Sequence, residues 1–289
     1  MTQPLAIDGA GLRAGAELGR GGQGRVVEVL GGAGRPAGEP LVAKWYLPSV
    51  DLDAAALTRL VAWRRSLADA DRSTVDDIAA WPRAVLLRHG RAAGVLLPRV
   101  PPRFSIPVRL PSGSAGQVLS ELQFLIAGPD LLTRRGIPDL DRPVRLRVLA
   151  RFAAAVAVLH NHGVVLGDLS VKNVLWSVAG GEPAVYLLDC DALRLTGTNP
   201  AVRQPNSPGW DDPAFPGTQN QQSDRYKVAL TVLRVLARDF HTRDPERARA
   251  ALGREFLPLL RAGLSGRPDV RPAASAWREP LSTLSEEGM

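Results

Sequence analysis

The chain has a single cysteine, Cys190, in 289 residues, so it can close no internal disulfide. A cysteine-based zinc site is excluded as well, and the composition suits a reducing compartment. No apolar run approaches the roughly 20 residues that a bilayer-crossing helix needs. The opening MTQPLAIDGAGL lacks the basic and apolar regions of a signal peptide, so the expectation is a cytoplasmic protein with no membrane segment. Lysine is also scarce. Of the 36 Lys and Arg residues, only Lys44, Lys172 and Lys227 are lysine. Arginine is a planar fork and lysine a compact point charge, so a position that keeps lysine in an arginine-rich chain is a candidate for point-charge chemistry. Finally, no glutamate occurs between Trp45 and Ser120, so that stretch offers a buried cation only aspartate.

What is present reads as a globular chain, with 45% apolar and 22% charged residues. The net charge of +7 and pI near 10.4 would allow anionic partners. The arginines are dispersed rather than run together, which fits a solvated surface better than a nucleic-acid patch. Nucleic acid is therefore not an expected partner.

The first hundred residues look strand-rich with one helix, over 51–68, and a hairpin turning near His89-Gly90. PRVPPRFSIPVRLPSG is too proline-rich for a long helix or a central strand and marks a connection. A helix is predicted over 141–162: Asp141 caps it, Pro143 sits in its first turn, and His162-Gly163 ends it. Short strands follow at NVLWS and AVYLLD. The chain from about 220 onward is mostly helical, with YKVALTVLRVLA buried.

Four segments carry chemistry. LGRGGQGRVVEV spaces Gly19, Gly21 and Gly24 as GxGxxG, with Gly22 between them and Val26 two residues on. A β-branched run follows in place of a helix, which favours a hairpin over phosphates rather than a dinucleotide-binding turn. VAK puts Ala43 and Lys44 on an apolar strand, where a lysine is costly unless paired. LGDLSVKN supplies Asp168, a carboxylate able to orient a hydroxyl and take its proton, and Asn173, an amide able to bind magnesium. LLDCD ends an apolar strand with Asp189, a hard oxygen donor suited to magnesium on phosphates, and adds Asp191.

In that order and spacing, these segments resemble the eukaryotic-type protein kinase superfamily. SDRYKVAL, with Asp224, is similar to the buried helix whose aspartate anchors the catalytic loop, and RPDVRP, with Arg271, to a late large-lobe motif. Gly-Asp-Leu and Asp-x-Asp resemble an atypical bacterial Ser/Thr kinase-like group used in signalling, as does the segment ending at Leu97-Pro98-Arg99-Val100. The resemblance covers about residues 12–285. It implies an α+β, two-lobed fold: a small antiparallel-sheet lobe with one helix (about 12–97), a hinge (98–103) and a larger, mainly helical lobe (104–285). It also implies an ATP- and magnesium-dependent kinase acting on Ser or Thr of an unknown protein substrate. Gly19, Gly21, Gly22, Gly24, Val26, Ala43, Lys44, Leu97, Val100 and Asn173 would bind nucleotide. Asp168, Lys44 and Lys172 would be catalytic, and Asn173 and Asp189 would hold magnesium.

The departures define the alternatives. Leu166-Gly167 stands where His-Arg is usual, which argues against control by a phosphorylated activation loop. Ser170 stands where a lysine two residues after the catalytic acid is usual, and Lys172 is the candidate substitute on the γ-phosphate. With no glutamate in the first-lobe helix, Asp53 or Asp51 is the expected partner of Lys44. Ala214 takes the usual glutamate position, so Arg271 needs another acid, with Asp212 the candidate. These changes motivate a second reading, a nucleotide-binding pseudokinase acting as an interaction switch. A small-molecule phosphotransferase of the aminoglycoside type is a third, against which SDRYKVAL and RPDVRP argue. Thr196, Thr198 and Ser207 are expected in turns, His160 and His162 as capping or surface residues, the six tryptophans in the core, and Cys190 as an unreactive thiol between two acids.

Overall fold

A computed structural model describes residues 4–32, 38–203 and 206–287. The fold is mixed α and β, with seven α-helices and one six-stranded mixed sheet plus small two-stranded sheets among the described residues. The chain forms two compact units. One runs to Val100 and takes in a later segment that begins at Asp189; the other holds Pro101–Leu188 and the C-terminal part of the chain.

The first unit contains β1 (Ala6–Asp8), β2 (Leu12–Arg20), β3 (Gly24–Gly32), β4 (Leu41–Tyr46), α1 (Ala54–Ser66), α2 (Asp69–Ile78), β5 (Ala84–Arg88) and β6 (Arg91–Pro98). The sheet order is β1-β5-β6-β4-β3-β2, antiparallel except for β1 on β5. Each face has its own apolar layer. Val42, Val85, Val95 and Leu97 pack with Ala56, Leu57 and Val61 of α1, while Leu41, Ala43, Leu86 and Leu96 pack with Ile7 and Val29 on the other side. Strand alternation sends successive residues into opposite layers. His89 and Gly90 turn the β5–β6 hairpin with φ of 51° and 74°.

The single helix expected over 51–68 is corrected to two. α1 starts at Ala54 because the Asp53 side chain caps it by accepting from Ala56 N at 2.9 Å. α2 buries only Val75, so DADRSTVDDI offers almost no apolar period from which to read a helix.

The second unit begins with the hairpin β7 (Ser105–Arg109) and β8 (Ala115–Leu119), which the proline-rich sequence hid. After α3 (Pro129–Arg135) comes α4 (Arg142–Asn161), capped by Asp141 accepting from Val144 N at 2.9 Å. It ends at His162, before Gly163 with φ 74°. Phe152, Val156 and Leu159 are fully buried, as are Leu146 and Leu149, because α4 packs against both α5 (Gln221–Ala237) and α7 (Arg278–Glu286). The two-residue β9 (Val164–Val165), β10 (Val174–Ser177) and β11 (Ala184–Leu187) lie beyond α4, with β10 and β11 antiparallel. α6 (Arg249–Gly263) precedes α7. Arg271 and Asp212, almost completely buried, form the expected ion pair, Nη2 reaching Oδ1 at 2.9 Å. All six tryptophans are buried or half-buried. No helix among the described residues is long and apolar enough to cross a membrane.

Candidate functional site

In the first unit, β2 and β3 make the expected hairpin, closed by Gly21 N donating to Gly24 O at 2.8 Å. Gly19, Gly21 and Gly22 border open space. Gly24 has a different reason to be glycine: a Cβ there would lie 2.2 Å from the Trp45 carbonyl oxygen, so close strand approach demands it.

Lys44 lies on β4 opposite Val26 of β3, and its side chain is 8% exposed. Its ammonium reaches Asp189 Oδ1 at 3.1 Å and Asp191 Oδ2 at 2.9 Å. Tyr46, two residues on and so on the same face, donates its hydroxyl to Asp191 Oδ2 at 2.6 Å. The expected partners are corrected accordingly. Asp53 caps α1 and faces Arg59 at 3.8 Å, and the Lys44 partners come from the segment after β11. Asp51 is exposed, and the Lys44 ion pairs are with Asp189 and Asp191 instead.

The two acids differ. Asp191 is fully buried, with both oxygens occupied, whereas the Asp189 side chain is 51% exposed. Asp189 sits at φ 53°, ψ 33°, a left-handed conformation costing a non-glycine residue on the order of 1 kcal/mol. Burial alone would lower the Lys44 pKa, but the two carboxylates outweigh it and raise the value, so the lysine stays charged. Burial, then Asp191, hold the Tyr46 hydroxyl protonated well above its usual range. Counting Lys44, Asp189 and Asp191 as ionised, the cluster carries one net negative charge. Burial and the flanking acids also push the Cys190 thiol up, so it stays protonated.

Among the remaining nucleotide candidates, Val26 and Leu97 belong with the α1-side layer, on the Lys44 face. Ala43 packs in the opposite layer, so its side chain does not share the Lys44 face, whereas Val42 does. Val100 follows β6 and is half-buried.

In the second unit, Asp224 at the start of α5 accepts from Leu166 N at 2.8 Å and Gly167 N at 3.0 Å. His160 Nε2 lies 3.1 Å from the same carboxylate, so this histidine is a buried partner of Asp224, not a surface residue. Gly167 has φ 74°, a left-handed backbone that glycine adopts without strain. Asp224 thus fixes the backbone of Leu166 and Gly167 from α5.

Both oxygens of Asp168 are engaged. Ser207 donates its N–H to Oδ1 at 2.7 Å and its hydroxyl to Oδ2 at 2.9 Å. Asn173 Nδ2 donates to the Asp168 carbonyl at 3.0 Å, which leaves its amide oxygen as the donor for a cation. Lys172 is exposed. Its charge acts on Glu121, whose pKa burial nevertheless raises. Thr198 donates to the Leu195 carbonyl at 2.9 Å in a turn. Sequence reasoning missed Tyr46 and the Ser207 contact to Asp168.

No group of three or more His, Cys, Asp or Glu placed to hold a metal occurs among the described residues. Magnesium needs no such cage: one or two carboxylates plus substrate phosphates suffice. The half-exposed Asp189 carboxylate of the first unit is a donor of that class, and so, taken by itself, is the Asn173 amide oxygen of the second. No protein-family model matches the chain, and no curated protein does.

Proposed function

We propose that the protein is an ATP- and magnesium-dependent kinase that transfers the γ-phosphate to a Ser or Thr hydroxyl of another protein. The observation that carries this reading is Lys44, a buried lysine held between Asp189 and Asp191. A glycine hairpin on the neighbouring strand accompanies it in the same unit. Lys44 would neutralise nucleotide phosphates, and backbone groups around Leu97 and Val100 would hold the base. Asp189 and Asn173 would hold magnesium, which supplies charge neutralisation on the phosphates. Asp168 would orient the acceptor hydroxyl and accept its proton late in transfer. The acceptor would have to take over the Oδ2 contact that Ser207 makes.

That same contact favours the second reading, a nucleotide-binding pseudokinase acting as an interaction switch. Both Asp168 oxygens are occupied from within the chain. Transfer of labelled γ-phosphate from Mg-ATP, to the protein itself and to a basic protein substrate, separates the two. The kinase reading expects Asp168→Asn to lose about 10²–10⁴-fold in rate, the range of general acid–base contributions. Absence of transfer by wild type, with magnesium-dependent ATP binding intact, would replace the kinase by the switch.

A further inference from the structure

Lys227 is the lysine to which phosphate transfer gives no job. It lies on α5, its side chain fully buried. Its ammonium donates to the Gly167 carbonyl at 2.5 Å and to Asn206 Oδ1 at 2.6 Å. Neither acceptor is charged, so the cation is desolvated without an ion pair in direct contact, and core packing alone does not ask for this. A methionine would fill similar volume at no such cost.

What the ammonium does is join two loops. Gly167 is the residue before Asp168, and Asn206 the residue before Ser207. The residues it holds are therefore the immediate neighbours of the two that bond each other. Gln219 Nε2 also donates to Asn206 Oδ1, at 3.0 Å, which fixes the amide with its oxygen toward the lysine. Among the described residues no other cation bonds Gly167 or Asn206, and Lys172 is exposed. Burial lowers the Lys227 pKa, with Asp224 and then Asp168 acting in the opposite direction.

We propose that Lys227 is a positioning residue: by holding Gly167 and Asn206 it keeps the Asp168 carboxylate and Ser207 together. As a role in turnover this rests on Asp168 being the proton acceptor.

The test uses the full chain and two variants, Lys227→Met and Asn206→Ala. The second removes one lysine acceptor without touching α5. Deuterium exchange at the Ser207 amide reads the Asp168 contact without requiring activity. Exchange is expected to quicken about tenfold or more in Lys227→Met and less in Asn206→Ala, since buried acceptors lose their donor. In turnover, kcat is expected to fall about tenfold or more in Lys227→Met while KM for Mg-ATP stays within about twofold, because Lys44 and Asp189 are untouched. Unchanged Ser207 exchange in both folded variants overturns the proposal. If Lys227→Met does not fold, unchanged exchange in Asn206→Ala does so alone. A fall in kcat matched by an equal rise in KM for Mg-ATP also overturns it. If wild type transfers no phosphate, the kinase reading fails while the exchange result still decides whether Lys227 holds the loops together.

Discussion

Lys44 and Lys227 are both buried, and they differ in what surrounds them. Lys44 meets two carboxylates, one half-exposed, and its proton affinity rises. Lys227 meets a carbonyl and an amide oxygen, and its proton affinity falls. The first arrangement holds a charged group beside an acid that solvent or a ligand can reach. The second spends a charge on backbone position. A buried lysine is therefore read from its acceptors: carboxylates at an open edge suit ligand chemistry, and neutral oxygens on two loops suit scaffolding.

The contrast can be broken by truncation. Lys44→Ala strands Asp191, which is fully buried, and is expected to cost about 3–5 kcal/mol of stability in denaturant titration. Lys227→Met strands only neutral acceptors and is expected to cost about 1–3 kcal/mol. Equal losses would remove the distinction. Asp53→Ala sharpens it from another side. Because Asp53 caps α1 and does not pair with Lys44, the expected loss is about 1 kcal/mol with Mg-ATP affinity unchanged. A large affinity loss would return Asp53 to the site. The smallest effect belongs to the exposed lysine: Lys172→Met is expected to leave stability within about 0.5 kcal/mol. Its turnover then reports on chemistry alone, and an unchanged rate removes Lys172 from the mechanism.

Much of this was legible because it is local. Asp141, Pro143 and Gly163 bound α4 by rules that act within a few residues, and His89-Gly90 turns its hairpin for the same reason. The Arg271–Asp212 pair was expected from the resemblance, with Ala214 where a glutamate is usual, and the buried ion pair is present. The Lys44 partners could not be read this way. They lie about 145 residues away, in a segment that returns to the first unit, and no spacing rule spans that distance. Ser207 on Asp168 is likewise a contact across 39 residues. α2 escaped notice because a helix burying one valine leaves no apolar stripe. That Ala43 and Lys44 take opposite faces follows from strand alternation, but which face packs on α1 does not.

The most direct test of two lysines with two jobs is the Mg-ATP dissociation constant of wild type, Lys44→Met and Lys227→Met, measured by calorimetry on folded protein. The account predicts that Lys44→Met weakens binding about tenfold or more, as loss of a charged contact implies, while Lys227→Met stays within about twofold of wild type. Wild-type affinity in Lys44→Met, or an equal loss in Lys227→Met, would contradict it.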